Sequence, residues 1–155
     1  MTTIFSNTAH EPLLRFARAS VRHVLLGGQV VVLECCVYLV EDDEAVARSL
    51  MVLLQMRDLK VDHFASADAF LRRLPQLPRG CVLLDVCLPG MDGLSALREL
   101  RRQSCDWPVI MMTGHAEFDL EVDAKRLGAT KILEKPFAPD VLFAELDEVL
   151  GLAVA

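Results

Sequence analysis

No Cys-x-x-Cys pair occurs in this chain. Its five cysteines, Cys35, Cys36, Cys81, Cys87 and Cys105, are odd in number and mostly flanked by apolar residues. That usage offers none of the recurring ligand spacings of a zinc site, and it suits a reducing cytosol better than a disulfide framework. Neither a G-x-x-x-x-G-K nor a G-x-G-x-x-G loop is present, so the glycine-built phosphate cradles of nucleotide-binding folds are missing. Positive charge is in short supply, with 16 Lys+Arg against 22 Asp+Glu and a net charge of −6, which argues against direct nucleic-acid binding. The apolar run 24–40 contains Glu34 and falls short of the roughly twenty residues of a membrane span. It is also interrupted by Gly27, Gly28 and Gln29 and lacks a small-residue cleavage site, which argues against a signal peptide. There is no internal repeat and no low-complexity tract.

What the chain does have is 155 residues, enough for one ordinary domain, and 53% hydrophobic residues to fill its core. From residue 37 onward short apolar runs alternate with helical periodicity, the pattern of βα units around a parallel sheet. Strands are predicted at 37–41, 59–64, 80–84, 108–112 and 130–133. Helices are predicted at 44–57, 66–74, 92–103, 116–127 and 139–150. Val46, Leu50, Leu53 and Leu54 form the buried stripe of the first helix. Pro139 is placed to open the last helix and Gly128 to end the fourth. Right-handed crossovers then give an α/β domain, a doubly wound sheet with helices on both faces.

Glu41, Asp42 and Asp85 each stand at the C-terminal end of a predicted strand, as do Thr113 and Lys135 further along. In an open parallel sheet those ends share one edge, where ligands bind. Clustered carboxylates repel, so they call for a hard cation between them, and an oxygen-lined site with retained waters suits Mg²⁺. A lysine and a threonine beside them suit an anion.

Four segments carry a resemblance: VYLVEDDEAVARSL at 37–50, CVLLDVCLPGMDGL at 81–94, PVIMMTGH at 108–115 and EKPF at 134–137. In this order and at these spacings they resemble the response-regulator receiver domain of bacterial two-component systems, over 37–150. The resemblance implies a flavodoxin-like five-stranded sheet of order 2-1-3-4-5 with five helices. It also implies a function. A histidine kinase or histidine phosphotransfer protein donates a phosphoryl group to Asp85, and the added charge alters the face of the fourth helix, fifth strand and fifth helix.

Roles follow by the same resemblance. Asp85 is the phosphoryl acceptor, and Mg²⁺ is bound by Glu41, Asp42, Asp85 and the backbone carbonyl of Cys87. Asp43 and Glu44 are an ordinary acidic helix start. Lys135 is expected to pair with Asp85 before phosphorylation and with a phosphate oxygen afterwards. The bond between Lys135 and Pro136 is cis in the family. Thr113 is expected to move its hydroxyl onto the phosphoryl group, although helix capping would equally explain it. Its usual partner in that movement is an aromatic residue three positions before the lysine, and here that residue is Ile132, which puts the coupling in doubt. Cys87 and His115 fall at the pocket rim, where side chains influence the lifetime of an acyl phosphate. A phosphatase that uses Asp85 as nucleophile would commonly need a second carboxylate two residues on, where this chain has Cys87. Catalysis by the receiver itself is therefore not expected. A phosphate-independent interaction module is the alternative.

Residues 1–36 lie outside the resemblance. The segment 12–26 reads as a helix with Arg15, Arg18 and Arg22 on one side, suited to a membrane surface or a partner. Otherwise translation starts later, between residues 30 and 33. After the last helix only five residues remain, so the chain is expected to be a stand-alone cytoplasmic receiver. Its wording is most like receivers that precede a helix-turn-helix domain, and a truncated transcriptional regulator is the other possibility. From Met111 onward nine acidic residues stand against four basic ones, and Glu117, Asp119, Glu121 and Asp123 crowd the start of the fourth helix. The downstream partner is therefore expected to be a basic protein.

Overall fold

A computed structural model of the chain describes residues 21–26, 29–115 and 117–151. Its main body is a sheet of five parallel strands: β3 (Cys36–Val40), β4 (Lys60–Phe64), β5 (Gly80–Asp85), β6 (Val109–Thr113) and β7 (Lys131–Glu134). Their lateral order is β4-β3-β5-β6-β7, which is 2-1-3-4-5 counted within this sheet. The register runs Val37 opposite both Val61 and Cys81, Leu84 opposite Met111, and Met111 opposite Ile132. Five α-helices connect and flank the strands among the described residues: α1 (Glu44–Met56), α2 (Ala67–Arg73), α3 (Gly93–Arg102), α4 (Phe118–Arg126) and α5 (Pro139–Leu150).

Helices on both faces leave the central strands no solvent side, which is why β3, β5 and β6 read as unbroken apolar runs rather than alternating ones. Alternate residues still part company. Val37, Leu39, Leu83, Ile110 and Met112 pack with Leu50 and Leu54 of α1 and with Leu142 and Leu146 of α5. Tyr38, Val40, Val82, Leu84 and Met111 pack with Phe70 of α2, with Leu97 and Leu100 of α3, and with Ala124 of α4. The stripe on α1 is shifted from its expected position, with Ala47, Leu50 and Leu54 buried and Val46 and Leu53 only half-buried. Tyr38 is fully buried, donates its phenol to the Pro78 carbonyl at 2.7 Å and stacks on Trp107 at 5.4 Å between ring centroids.

Helix ends follow side-chain chemistry. Asp43 caps α1 by accepting from the amides of Ala45 and Val46, and Asp92 caps α3 by accepting from Ser95. Pro139 is the first residue of α5, and Gly128, at φ +90°, follows the end of α4.

Upstream of the sheet the sequence expectation is corrected. Residues 21–26, expected to complete a helix, are instead strand β1 (Val21–Leu26), paired antiparallel with β2 (Gln29–Glu34) from Val21 opposite Glu34 to Leu26 opposite Gln29. Valines and leucines dominate both segments and a Gly-Gly pair stands between them, a composition that favours a hairpin over a helix. The remainder of the expected helix, 12–20, lies outside the described residues, as do residues 1–11.

Candidate functional site

Apart from Ile132, which lies inside β7, the expected site residues stand at or just past strand ends, and the backbone there is pinned by further ladder bonds. The Glu41 amide donates to the Phe64 carbonyl at 3.1 Å, the Val86 amide to Met112 at 2.9 Å, and the Lys135 amide to Thr113 at 2.7 Å. The sheet edge is thus continued past the last formal strand residue on β3, β5 and β7. The Gly93 amide adds a bond to the Val86 carbonyl at 2.9 Å, which ties the start of α3 to the turn after Asp85.

Carboxylate oxygens of Glu41, Asp42 and Asp85 lie within 4.8 Å of one another. Glu41 and Asp85 are buried, and Asp42 is exposed at the mouth. Burial raises the pKa of Asp85, and the neighbouring Glu41 charge raises it further. Lys135 and a backbone hydrogen bond from Cys87 pull the other way without cancelling the rise. Cys87 therefore reaches the site through its backbone, while its side chain is exposed.

Lys135 Nζ sits 2.7 Å from Glu41 Oε2 and 3.3 Å from Asp85 Oδ1. The sequence reading paired the lysine with Asp85; here its shorter bond is to Glu41, the more deeply buried of the two carboxylates. Burial works against its ammonium, but the Glu41 hydrogen bond and the Asp85 charge outweigh it, so its pKa is raised. The peptide bond between Lys135 and Pro136 is cis. An apolar groove of about 630 Å³, lined by Ala45, Val46, Ser49, Leu50, Pro136 and Phe137, opens beside the lysine.

Thr113 is buried at the end of β6, and its hydroxyl is engaged with one residue: it donates to the His115 carbonyl at 2.9 Å and accepts from the His115 amide at 3.1 Å. His115 itself is exposed. Ile132, half-buried on β7, packs against the same cluster as α2, α3 and α4. Glu117, Asp119 and Asp123 are exposed along α4, and Glu121 is half-exposed.

One side chain at the site was not found from the sequence. His63, on β4, places Nε2 2.8 Å from the Glu41 carbonyl oxygen. Nothing in its neighbourhood marks it, because the bond reaches the backbone of another strand and appears only once the two strands are in register.

Three carboxylates and no softer donor, with one ammonium to share among them, form a set that a small hard cation fits. No helix among the described residues is long and apolar enough to cross a membrane.

Comparison with known proteins agrees with this geometry. The chain is 41% identical over 117 residues to the transcriptional regulatory protein FixJ of Bradyrhizobium diazoefficiens, covering 76% of this chain and 57% of that one. It is 38% identical over 120 residues to the response regulator protein TmoT of Ectopseudomonas mendocina, covering 77% and 54%. It therefore spans little more than half the length of these relatives. Among solved structures, that of FixJ-N superposes with a TM-score of 0.72 at 33% identity, covering 79% of this chain and 98% of that one. A CheY-like receiver domain protein from Methanospirillum hungatei gives 0.72 at 26% identity, covering 76% and 94%. Residues 37–147 match the family described as the response regulator receiver domain, a signalling module of two-component systems, and the chain belongs to that family.

Proposed function

We propose that this receiver accepts a phosphoryl group on Asp85 from the phosphohistidine of a sensor kinase or phosphotransfer protein. The observation that carries the reading is the convergence of Glu41, Asp42, Asp85 and Lys135 at one sheet edge. The Asp85 carboxylate attacks phosphorus in line; its O–P bond forms as the donor's N–P bond breaks, and the imidazole leaves. Lys135, already 3.3 Å from Asp85 Oδ1, is placed to pair with an oxygen of the transferred group. Thr113 would have to give up its bonds to His115 to reach that group, so phosphorylation and the loop after β6 are linked through one hydroxyl.

Glu41, Asp42, Asp85 and the Cys87 carbonyl are the residues that would hold Mg²⁺. When bound, Mg²⁺ offsets the negative charge of the transferring oxygens. The apolar groove beside Lys135 gives a protein donor a surface next to the acceptor. The segment before residue 37 stands outside the receiver on this reading except for Cys35 and Cys36, which pack in its core, and the acidic start of α4 is the surface for a basic downstream protein.

Ile132 supports a second reading, a receiver whose interactions do not depend on phosphate. An isoleucine packed against the α2–α3–α4 side has no ring to swing inward when Thr113 moves.

Acetyl phosphate with Mg²⁺, followed by intact-mass spectrometry, separates the two. The phosphoryl reading expects one added phosphoryl group, dependent on Mg²⁺ and abolished in Asp85→Asn. A folded, Mg²⁺-binding protein that gains no mass favours the second.

A further inference from the structure

The peptide joining Glu41 to Asp42 carries two of the three clustered carboxylates, so its orientation sets where they point. Asp42 is exposed and makes no hydrogen bond among the described residues, which leaves its direction to the backbone. On the amino side that backbone is held by the ladder, through the Glu41 amide on Phe64. On the carbonyl side the ladder has ended, and no backbone amide among the described residues donates to the Glu41 oxygen. The His63 ring does, at 2.8 Å. A carbonyl only accepts, so the ring carries its proton on Nε2 and donates it.

We propose that His63 is a positioning residue for the cation site: its Nε2–H holds the Glu41 carbonyl and thereby fixes the plane of the peptide from which Asp42 departs. The register makes the contact specific. His63 lies opposite Leu39 in the paired strands, two residues before Glu41, so its side chain shares a sheet face with Leu39 and reaches forward to the peptide that follows β3. A shorter or donor-free residue at this position leaves a buried carbonyl without a partner, and the peptide is then free to turn. His63 touches neither the acceptor nor the cation, and its effect is on how well the carboxylates are aimed. The inference rests on reading Glu41, Asp42 and Asp85 as a Mg²⁺ site.

The test is a calorimetric titration of the full chain with MgCl₂ for the wild type, His63→Leu and His63→Gln, with a thermal melt of each. Long-range ¹H–¹⁵N spectra of the histidines are recorded without metal. The leucine variant is expected to bind Mg²⁺ roughly tenfold more weakly, and the glutamine variant, which keeps an N–H donor, to recover most of that loss. Phosphorylation by acetyl phosphate in the leucine variant should need more Mg²⁺ yet reach the wild-type rate at saturation. The spectra should show His63 protonated on Nε2. Equal Mg²⁺ affinity in all three proteins overturns the inference and leaves the phosphoryl reading standing, as does an Nδ1–H tautomer. A wild type that binds no Mg²⁺ overturns both.

Discussion

As the proposed acceptor, Asp85 has to be charged where its surroundings oppose charge. Burial, then the Glu41 carboxylate, push its pKa up, and Lys135 only partly offsets them. A raised native pKa means that the folded state holds the proton more tightly than the unfolded chain does. The stability this contributes is complete below the unfolded pKa of about 3.9 and is lost as pH rises through the native value. At neutral pH without metal, the ionised Asp85 is therefore a net cost to the fold. Thermal melts in EDTA should find Asp85→Asn a few degrees more stable than wild type at pH 7, with the gain shrinking toward pH 4. Equal melting temperatures across that range would contradict this electrostatic account. At this scale the sequence was legible where a polar residue interrupts an apolar run, as Asp85 does after Leu84 and Thr113 after Met112. It was opaque where a role depends on another strand. Neither the preference of Lys135 for Glu41 nor the bond from His63 to a carbonyl has a local signal.

Between elements, the tightest approach near the site is at Gly93, the first residue of α3. A Cβ there would run into the Asp85 carbonyl oxygen and lie 2.8 Å from the Val86 Cα, both backbone atoms with little freedom to give. Gly93→Ala should therefore push α3 off the end of β5, at a cost of roughly 1–3 kcal/mol, and slow phosphorylation by moving Asp85 relative to Lys135. Chemical denaturation and acetyl phosphate kinetics would measure the two effects, and a variant as stable and as fast as wild type would contradict the packing argument. Element types from β3 to α5 were legible because the helical stripes and fully buried strands have different periods, and Gly128 and Pro139 mark helix ends locally. The hairpin of β1 and β2 was not. Arg15, Arg18 and Arg22 recur at near-helical spacing, and that signal outweighed the valine-rich segments around Gly27 and Gly28 that pair as strands.

Across the molecule, charge is uneven. Glu117 at the N-cap of α4 and Asp119 in its first turn are exposed and suit the helix dipole, and with the exposed Asp123 further along they repel any like-charged surface. For a basic protein that docks on this face, reversing Glu121 and Asp123 to lysine should slow association and flatten its salt dependence. Surface plasmon resonance at two ionic strengths reads both, and unchanged association would remove the acidic face from the account. The most direct measurement bears on the acceptor itself. Borohydride reduces an aspartyl phosphate to homoserine, so treating the protein after acetyl phosphate and Mg²⁺, then mapping peptides by tandem mass spectrometry, locates the phosphorylated carboxylate. Homoserine at position 85, absent when Mg²⁺ is withheld, is the predicted result; homoserine at Asp42 or at another aspartate, with none at 85, would contradict the assignment of Asp85 as acceptor.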